Sequence, residues 1–130
     1  MNTLLRRAAA SPHIRWSLVA LWAGVIFVGS SVPGSSIPGG YSLYGHLGEY
    51  FVLGALTALA VGGKRSTAVA IALLLCALYA ASDEFHQAFV PMRVPDPLDW
   101  LADVTGATVG AISLALWAAR RPPRVGDDRQ

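Results

Sequence analysis

The carboxylates of this 130-residue chain are unevenly placed: Asp127 and Asp128 close the C-terminus, whereas Glu49, Asp83, Glu84, Asp96, Asp99 and Asp103 lie in or beside long apolar runs. His46, His86, Gln87 and Arg93 keep them company. His46 and Glu49 are three residues apart, a spacing that puts both on one helix face. Such a pair can exchange protons, or join carboxylates from other helices in a hard-ligand shell for a divalent cation. Asp83 and Glu84 are like-charged neighbours, and such neighbours can differ enough in proton affinity to act as acid and base in one pocket. Arg93 carries a planar guanidinium suited to bidentate capture of a phosphate or carboxylate, or to pairing with Asp99. No Ser or Cys is evidently coupled to a His, and neither a P-loop nor an H-E-x-x-H motif occurs. Any catalysis would therefore need water activated by a carboxylate or a metal. Each group also has a plainer reading: His46 as an interhelical hydrogen-bonding partner, the acids as a structural network, His86 reaching the headgroups, Asp96 as a helix cap and Arg93 in a salt bridge.

The composition names the scaffold that must position these groups. Hydrophobic residues make up 54% and charged residues 14%, against roughly 45–50% and about 25% in soluble domains. The mean hydropathy of +0.48 comes from long charge-free runs, which argue against disorder, a coiled coil and a disulfide scaffold. The single cysteine, Cys76, lies inside an apolar run and reads as a small buried hydrophobe. The runs lack period-2 alternation and are rich in Ala and Leu, which sets closed barrels aside.

Cutting the chain at charges and at Pro/Gly clusters predicts four helices, over about 14–31, 44–61, 66–89 and 97–119, followed by a polar tail over 120–130. The expected fold is all-α, one domain over residues 1–130, an integral membrane bundle of four transmembrane helices. Ser11-Pro12 opens the first helix and Gly62-Gly63 stops the second. At Asp96-Pro97-Leu98-Asp99 the aspartates are spaced for a capping box, with proline in the first turn. Nine of the ten Lys and Arg residues flank the apolar segments at one end, and only Arg93 falls in the loops at the other. By the positive-inside rule both termini are cytoplasmic, and the same distribution argues against a nucleic-acid partner. A cleaved signal peptide over the first 30 residues is the rival reading of the N-terminus.

Counting from the basic pairs at about 1.5 Å per residue places Glu49 about 22 Å, Asp83 about 27 Å and Asp103 about 25 Å up their helices. Three helices thus bring acids to one depth near the outer surface. Exposed to lipid, each would cost on the order of 2.5–3.5 kcal/mol, so they should face one another or water. Helical phase agrees, with His46, Glu49, Tyr50 and Leu53 on one stripe, Asp83, Glu84 and Gln87 on a second, and Asp99, Asp103, Gly106 and Gly110 on a third. The six acids cannot all be ionised in a dry site, so a proton, a bound cation, an imidazolium or a ligand's positive group must offset them. Gly106 and Gly110 spell a GxxxG motif, which predicts close packing inside the bundle or at a homodimer contact.

The ordered set His46-x-x-Glu49-Tyr50-x-x-Leu53-Gly54, then Asp83-Glu84-x-His86-Gln87-x-Phe89-Val90-Pro91-x-Arg93, then Asp99-x-x-x-Asp103-x-x-Gly106-Ala107-x-x-Gly110 resembles the VanZ-like family of small bacterial membrane proteins. The resemblance spans nearly the whole chain. It departs at Leu43, where the family often has Lys, and at Met92, where it often has Gly. It implies a multi-pass protein of the bacterial cell membrane, in a family whose founding member is associated with resistance to teicoplanin. Two functions follow as expectations. One is an outward site, including Gln87 and Arg93, that binds an envelope or antibiotic-related amphiphile such as a lipid-linked or cell-wall precursor. The other is a membrane-embedded hydrolase or transferase on a phosphate-bearing lipid, drawing on His46, Glu49, Asp83, Glu84, Asp99 and Asp103. A proton or cation conduit fits poorly, because the inner halves of the helices carry no comparable polar groups.

Overall fold

A computed structural model describes residues 11–36 and 41–120. Arg6 and Arg7, loop residues 37–40 and the tail beyond Arg120 lie outside the described residues. Among the described residues four helices follow in chain order: α1 (Pro12–Ser30), α2 (Tyr41–Val61), α3 (Arg65–Gln87) and α4 (Pro97–Ala119), with one 3-10 turn over Gly34–Ser36. There is no strand among the described residues. The helix starts and stops have local causes. Pro12 and Pro97 occupy first turns, where a missing N–H costs nothing. Gly62 and Gly63 end α2 with φ of 63° and 71°, a left-handed geometry that suits glycine. α3 stops at Gln87, two residues before the expected end, as the chain turns toward Pro91.

Consecutive helices run antiparallel. At one end Arg15 Nη1 of α1 donates to Leu59 O of α2 (3.2 Å) and Arg65 Nη2 of α3 donates to Ala118 O of α4 (3.3 Å). At the other end Gly34 N donates to Pro91 O (3.1 Å), joining the segment after α1 to the α3–α4 loop. We call the first the basic end and the second the loop end. α2 is central and touches each of the other helices, whereas α1 packs on α2 and more lightly on α3. Two cross-helix bonds hold α1 in place: Trp22 Nε1 donates to Glu49 O (2.8 Å) and the Tyr79 hydroxyl donates to Ala23 O (2.6 Å).

The bundle exposes large apolar side chains and shelters its polar ones within a core of mostly small apolar residues. Leu21, Val28, Leu74, Leu78, Phe85 and Leu116 are exposed, while His46, Asp83, Glu84, Gln87 and Asp103 are buried. α1, α3 and α4 are each long and apolar enough to cross a membrane. In lipid those exposed side chains have no water to avoid, and the groups needing shelter are the polar ones. Cys76 is buried beside Thr57, with 3.9 Å between Sγ and Oγ1, as expected of a small core residue.

Small residues govern the packing because helices in lipid gain little from hydrophobic burial and must gain from close approach. α2 and α4 meet backbone to backbone. A Cβ on Gly54 would lie 2.2 Å from Ala107 O, one on Gly106 2.4 Å from Leu47 O, and one on Gly110 1.9 Å from Phe51 O. Gly106 and Gly110 therefore serve the contact inside this chain. Because the obstructing atoms are backbone, Gly106→Ala or Gly110→Ala must push the helices apart, at a cost of about 1–3 kcal/mol each. Gly24→Ala, with nothing within 4 Å of the new methyl, should be neutral or slightly stabilising. Thermal unfolding of the detergent-purified variants checks this, and equal melting temperatures for Gly24→Ala and Gly110→Ala would refute it.

Candidate functional site

The helix contacts bring four of the expected residues together near the loop end. His46 on α2 directs Nδ1 to Asp103 Oδ1 on α4 at 2.8 Å, and its Nε2 stands 3.7 Å from Asp99 Oδ2, one turn nearer the start of α4. Glu84 on α3 completes the group: a carboxylate oxygen of Glu84, a ring nitrogen of His46 and an oxygen of Asp99 all lie within 4.8 Å of one another. Asp103 is fully buried, His46 and Glu84 are buried, and Asp99 is half-buried. Since a carboxylate oxygen only accepts, the Nδ1 of His46 carries the hydrogen in its bond to Asp103. That bond fixes the ring's orientation and leaves Nε2 facing Asp99, with Glu84 beside the ring.

Asp96 caps α4 as expected, its Oδ1 accepting from Leu98 N at 2.9 Å. The reciprocal half of the capping box is not supplied by Asp99. Instead Glu84 Oε2, reaching from α3, accepts the N–H of Asp96 at 2.9 Å. This substitution across helices ties the loop-end start of α4 to α3 and lets Asp99 turn toward His46. Glu84 Oε1, Asp103 Oδ2, Asp83 Oδ1 and the Tyr50 hydroxyl are buried with no hydrogen-bond partner.

No hydrogen bond or ion pair joins Glu49 to His46 among the described residues. Three residues on a helix are about 60° apart in azimuth. That offset suffices here: His46 faces α4, while Glu49 Oε1 lies 3.6 Å from where a Cβ on Gly29 of α1 would stand. Asp83 shares no hydrogen bond or ion pair with the His46 group among the described residues, and it accepts from Gln87 Nε2 at 3.3 Å. Gln87 Oε1 in turn accepts from Arg93 Nη1 at 3.4 Å. Arg93 spends its other contacts on backbone, Nε donating to Val32 O (3.2 Å) and Nη2 to Gly29 O (3.3 Å). Gln87 and Arg93 thus clamp the end of α1 to the α3–α4 loop. His86 does the same, with Nε2 3.0 Å from Ser31 Oγ and its ring stacked on Phe27 at 4.4 Å.

A shallow groove of about 420 Å³ opens between α3 and α4, lined by Ala81, Glu84, Pro95, Asp96, Pro97 and Trp100. Its walls are mostly apolar and Glu84 is the buried carboxylate that it reaches. Trp100 is held in place by donating Nε1 to Ala77 O at 3.2 Å. No run of residues announces this groove, since it depends on the proline-rich turn before α4 folding back over α3.

Met92, in the clamped loop, has φ of 58°. The left-handed region disfavours a side chain with a Cβ and costs on the order of 1 kcal/mol or more. This explains why glycine suits the position before the motif arginine. Met92→Gly should raise stability by up to about 1 kcal/mol, the relief of strain exceeding the added freedom of the unfolded chain. The melting temperature in detergent reads the effect, and a fall would show that contacts of the exposed Met92 side chain outweigh its backbone strain.

Among known families, the VanZ/LLP1 model matches residues 15–118. That span contains all of α2 and α3, most of α1 and α4, and the whole site just described. Neither a comparison with curated proteins nor one with solved structures finds a match.

Proposed function

The chain belongs to the VanZ/LLP1 family, and on that premise we propose that it is a multi-pass protein of the bacterial cell membrane that binds an envelope or antibiotic-related amphiphile at its loop end. In this reading all four helices span the bilayer, both termini are cytoplasmic and the loop end faces outward. The distribution of basic residues supports the orientation: among the described residues Arg15, Lys64, Arg65 and Arg120 lie at the opposite end, and in the sequence nine of ten Lys and Arg flank the apolar segments on that side. The observation that carries the binding reading is the groove between α3 and α4, where apolar walls lead to the buried carboxylate of Glu84. An amphiphile entering from the lipid keeps its tail against Ala81, Pro95, Pro97 and Trp100, while its polar head meets Glu84. Gln87 and Arg93 then act mainly by holding the loop that bears the groove's rim. The influence on glycopeptide-type antibiotics comes from the family resemblance.

Cells expressing the protein should become less susceptible to teicoplanin, and Glu84→Gln at equal membrane abundance should lose that protection. If Glu84→Gln protects as well as the wild type, the groove is not the binding site. If the wild type gives no protection, the antibiotic role falls.

One observation favours a second reading, the hydrolase or transferase acting on a phosphate-bearing lipid. The 2.8 Å bond between His46 and Asp103 is the base-and-orienter arrangement that activates water in many enzymes. Purified protein should then turn over a phosphate-bearing lipid, with the rate falling by about 100-fold or more in His46→Gln. Turnover equal in wild type and His46→Gln would eliminate His46 as the base.

A further inference from the structure

Three side chains from three helices converge at the loop end with donor atoms of complementary kind: an imidazole nitrogen of His46 and carboxylate oxygens of Glu84 and Asp99, all within 4.8 Å of one another. We infer that His46, Glu84 and Asp99 form a binding site for one divalent transition-series cation, such as Zn2+ or Co2+, with Asp103 as the positioning residue behind His46. The site stands on its own observations and holds whether or not an amphiphile binds the groove.

Four features carry it. First, His46 Nε2 and Asp99 Oδ2 are 3.7 Å apart, too far for a hydrogen bond, yet near the roughly 3.4 Å that separates two ligands of a tetrahedral ion with bonds of about 2.1 Å. Second, the bond from His46 Nδ1 to the fully buried Asp103 is the carboxylate–histidine arrangement that fixes the tautomer of metal-binding histidines and aims the free nitrogen. Third, Glu84 is more than nine-tenths buried and its Oε1 has no hydrogen-bond partner, while its Oε2 is pinned by Asp96 N. An unpartnered, buried carboxylate oxygen beside a second carboxylate asks for a cation. Fourth, neither Glu84 nor Asp103 has a Lys or Arg ion-pair partner among the described residues, the recorded ion pairs being those of His46. Arg93, the basic residue of the loop end, is occupied by Val32 O, Gly29 O and Gln87.

One nitrogen and two carboxylates suit borderline cations better than Mg2+ or Ca2+, which favour all-oxygen shells. Three protein ligands also leave a coordination position for water or for an oxygen of a bound molecule. Glu84 lines the groove, so that position is reached from the α3–α4 side.

Full-length detergent-purified protein, stripped with a chelator and titrated with Zn2+ and with Co2+, tests the assignment by calorimetry and visible absorption. One ion per chain is expected for the wild type. The same is expected for Glu49→Gln, whose carboxylate faces α1. Asp103→Asn should keep one ion per chain with affinity weakened by about 10–100-fold, the effect of losing an orienting partner. Asp99→Asn and Glu84→Gln should lose the Co2+ absorption, and Asp99→Glu, which restores an oxygen donor, should recover it. The wild type supplies an arm free of folding effects: Zn2+ should raise its melting temperature at concentrations where Mg2+ does not. No saturable binding by the wild type overturns the assignment. So does binding that survives the combined Glu84→Gln/Asp99→Asn change, or an equal thermal response to Zn2+ and Mg2+.

Discussion

The near-contact of the α2 and α4 backbones sets the geometry of the rest of the protein. Gly106 lies against Leu47 O, the carbonyl of the residue next to His46, and Asp103 precedes Gly106 by three residues on the same face. The glycines therefore fix how far the imidazole stands from the α4 carboxylates. A methyl group at Gly106 would move the two helices apart along the line that joins His46 to Asp103, turning a 2.8 Å hydrogen bond into a buried charge without its partner. Packing and chemistry are thus one constraint here. In a bilayer, where apolar burial gives helices little reason to associate, close backbone approach and interhelical hydrogen bonds supply that reason.

The same logic explains why polar groups occupy the interior. His46 bonds to Asp103, Gln87 joins Asp83 to Arg93, and Trp22 and Tyr79 donate from their own helices to carbonyls of neighbouring ones. Each link spares a donor or acceptor from lipid, and the His46, Trp22 and Tyr79 bonds at the same time set the register of two helices. The loop-end links differ from those at the basic end, where Arg15 and Arg65 simply reach exposed carbonyls of the adjacent helix. The candidate site lies at the end of the bundle where these interhelical links gather.

Much of this was legible in the sequence because it depends on local or one-dimensional signals. Four helices follow from charges and Pro/Gly breaks, and α4 starts at Pro97 and ends at Ala119 as the pattern predicts. Counting residues from the basic end puts Glu49, Asp83 and Asp103 at one depth, and of these the structure gathers Asp103 with His46, Glu84 and Asp99. Pairing is what phase could not assign. His46 and Glu49 share a broad stripe, but which neighbour each meets depends on how α2 rotates between α1 and α4, and that rotation is decided by glycine contacts distant in sequence. Arg93 looked available for an anion because nothing local to it bonds a guanidinium. Its partners Gly29 and Val32 are brought to it only when α1 and the α3–α4 loop fold together. Gly106 and Gly110 were readable as a packing motif, but the helix they pack against was not.

Glu84 shows why a local rule can fail where a site is built. The sequence at the start of α4 offers a self-contained capping box, in which Asp99 would accept the N–H of Asp96. Had that box closed, Asp99 would be spent on its own helix and the His46 ring would face a single α4 carboxylate. Glu84 enters from α3 and takes the Asp96 N–H instead. One of its oxygens is then fixed on the α4 backbone, which orients the other, unpartnered oxygen without leaving it free to rotate away. Preorganisation of this kind places the cost of ordering a site on folding rather than on binding. Here the cost is offset by the helix cap itself, because the bond that aims Glu84 also satisfies an N–H at the start of α4. Both carboxylates stand beside His46 for the same reason: a cap that could have been completed within α4 was completed from a neighbouring helix.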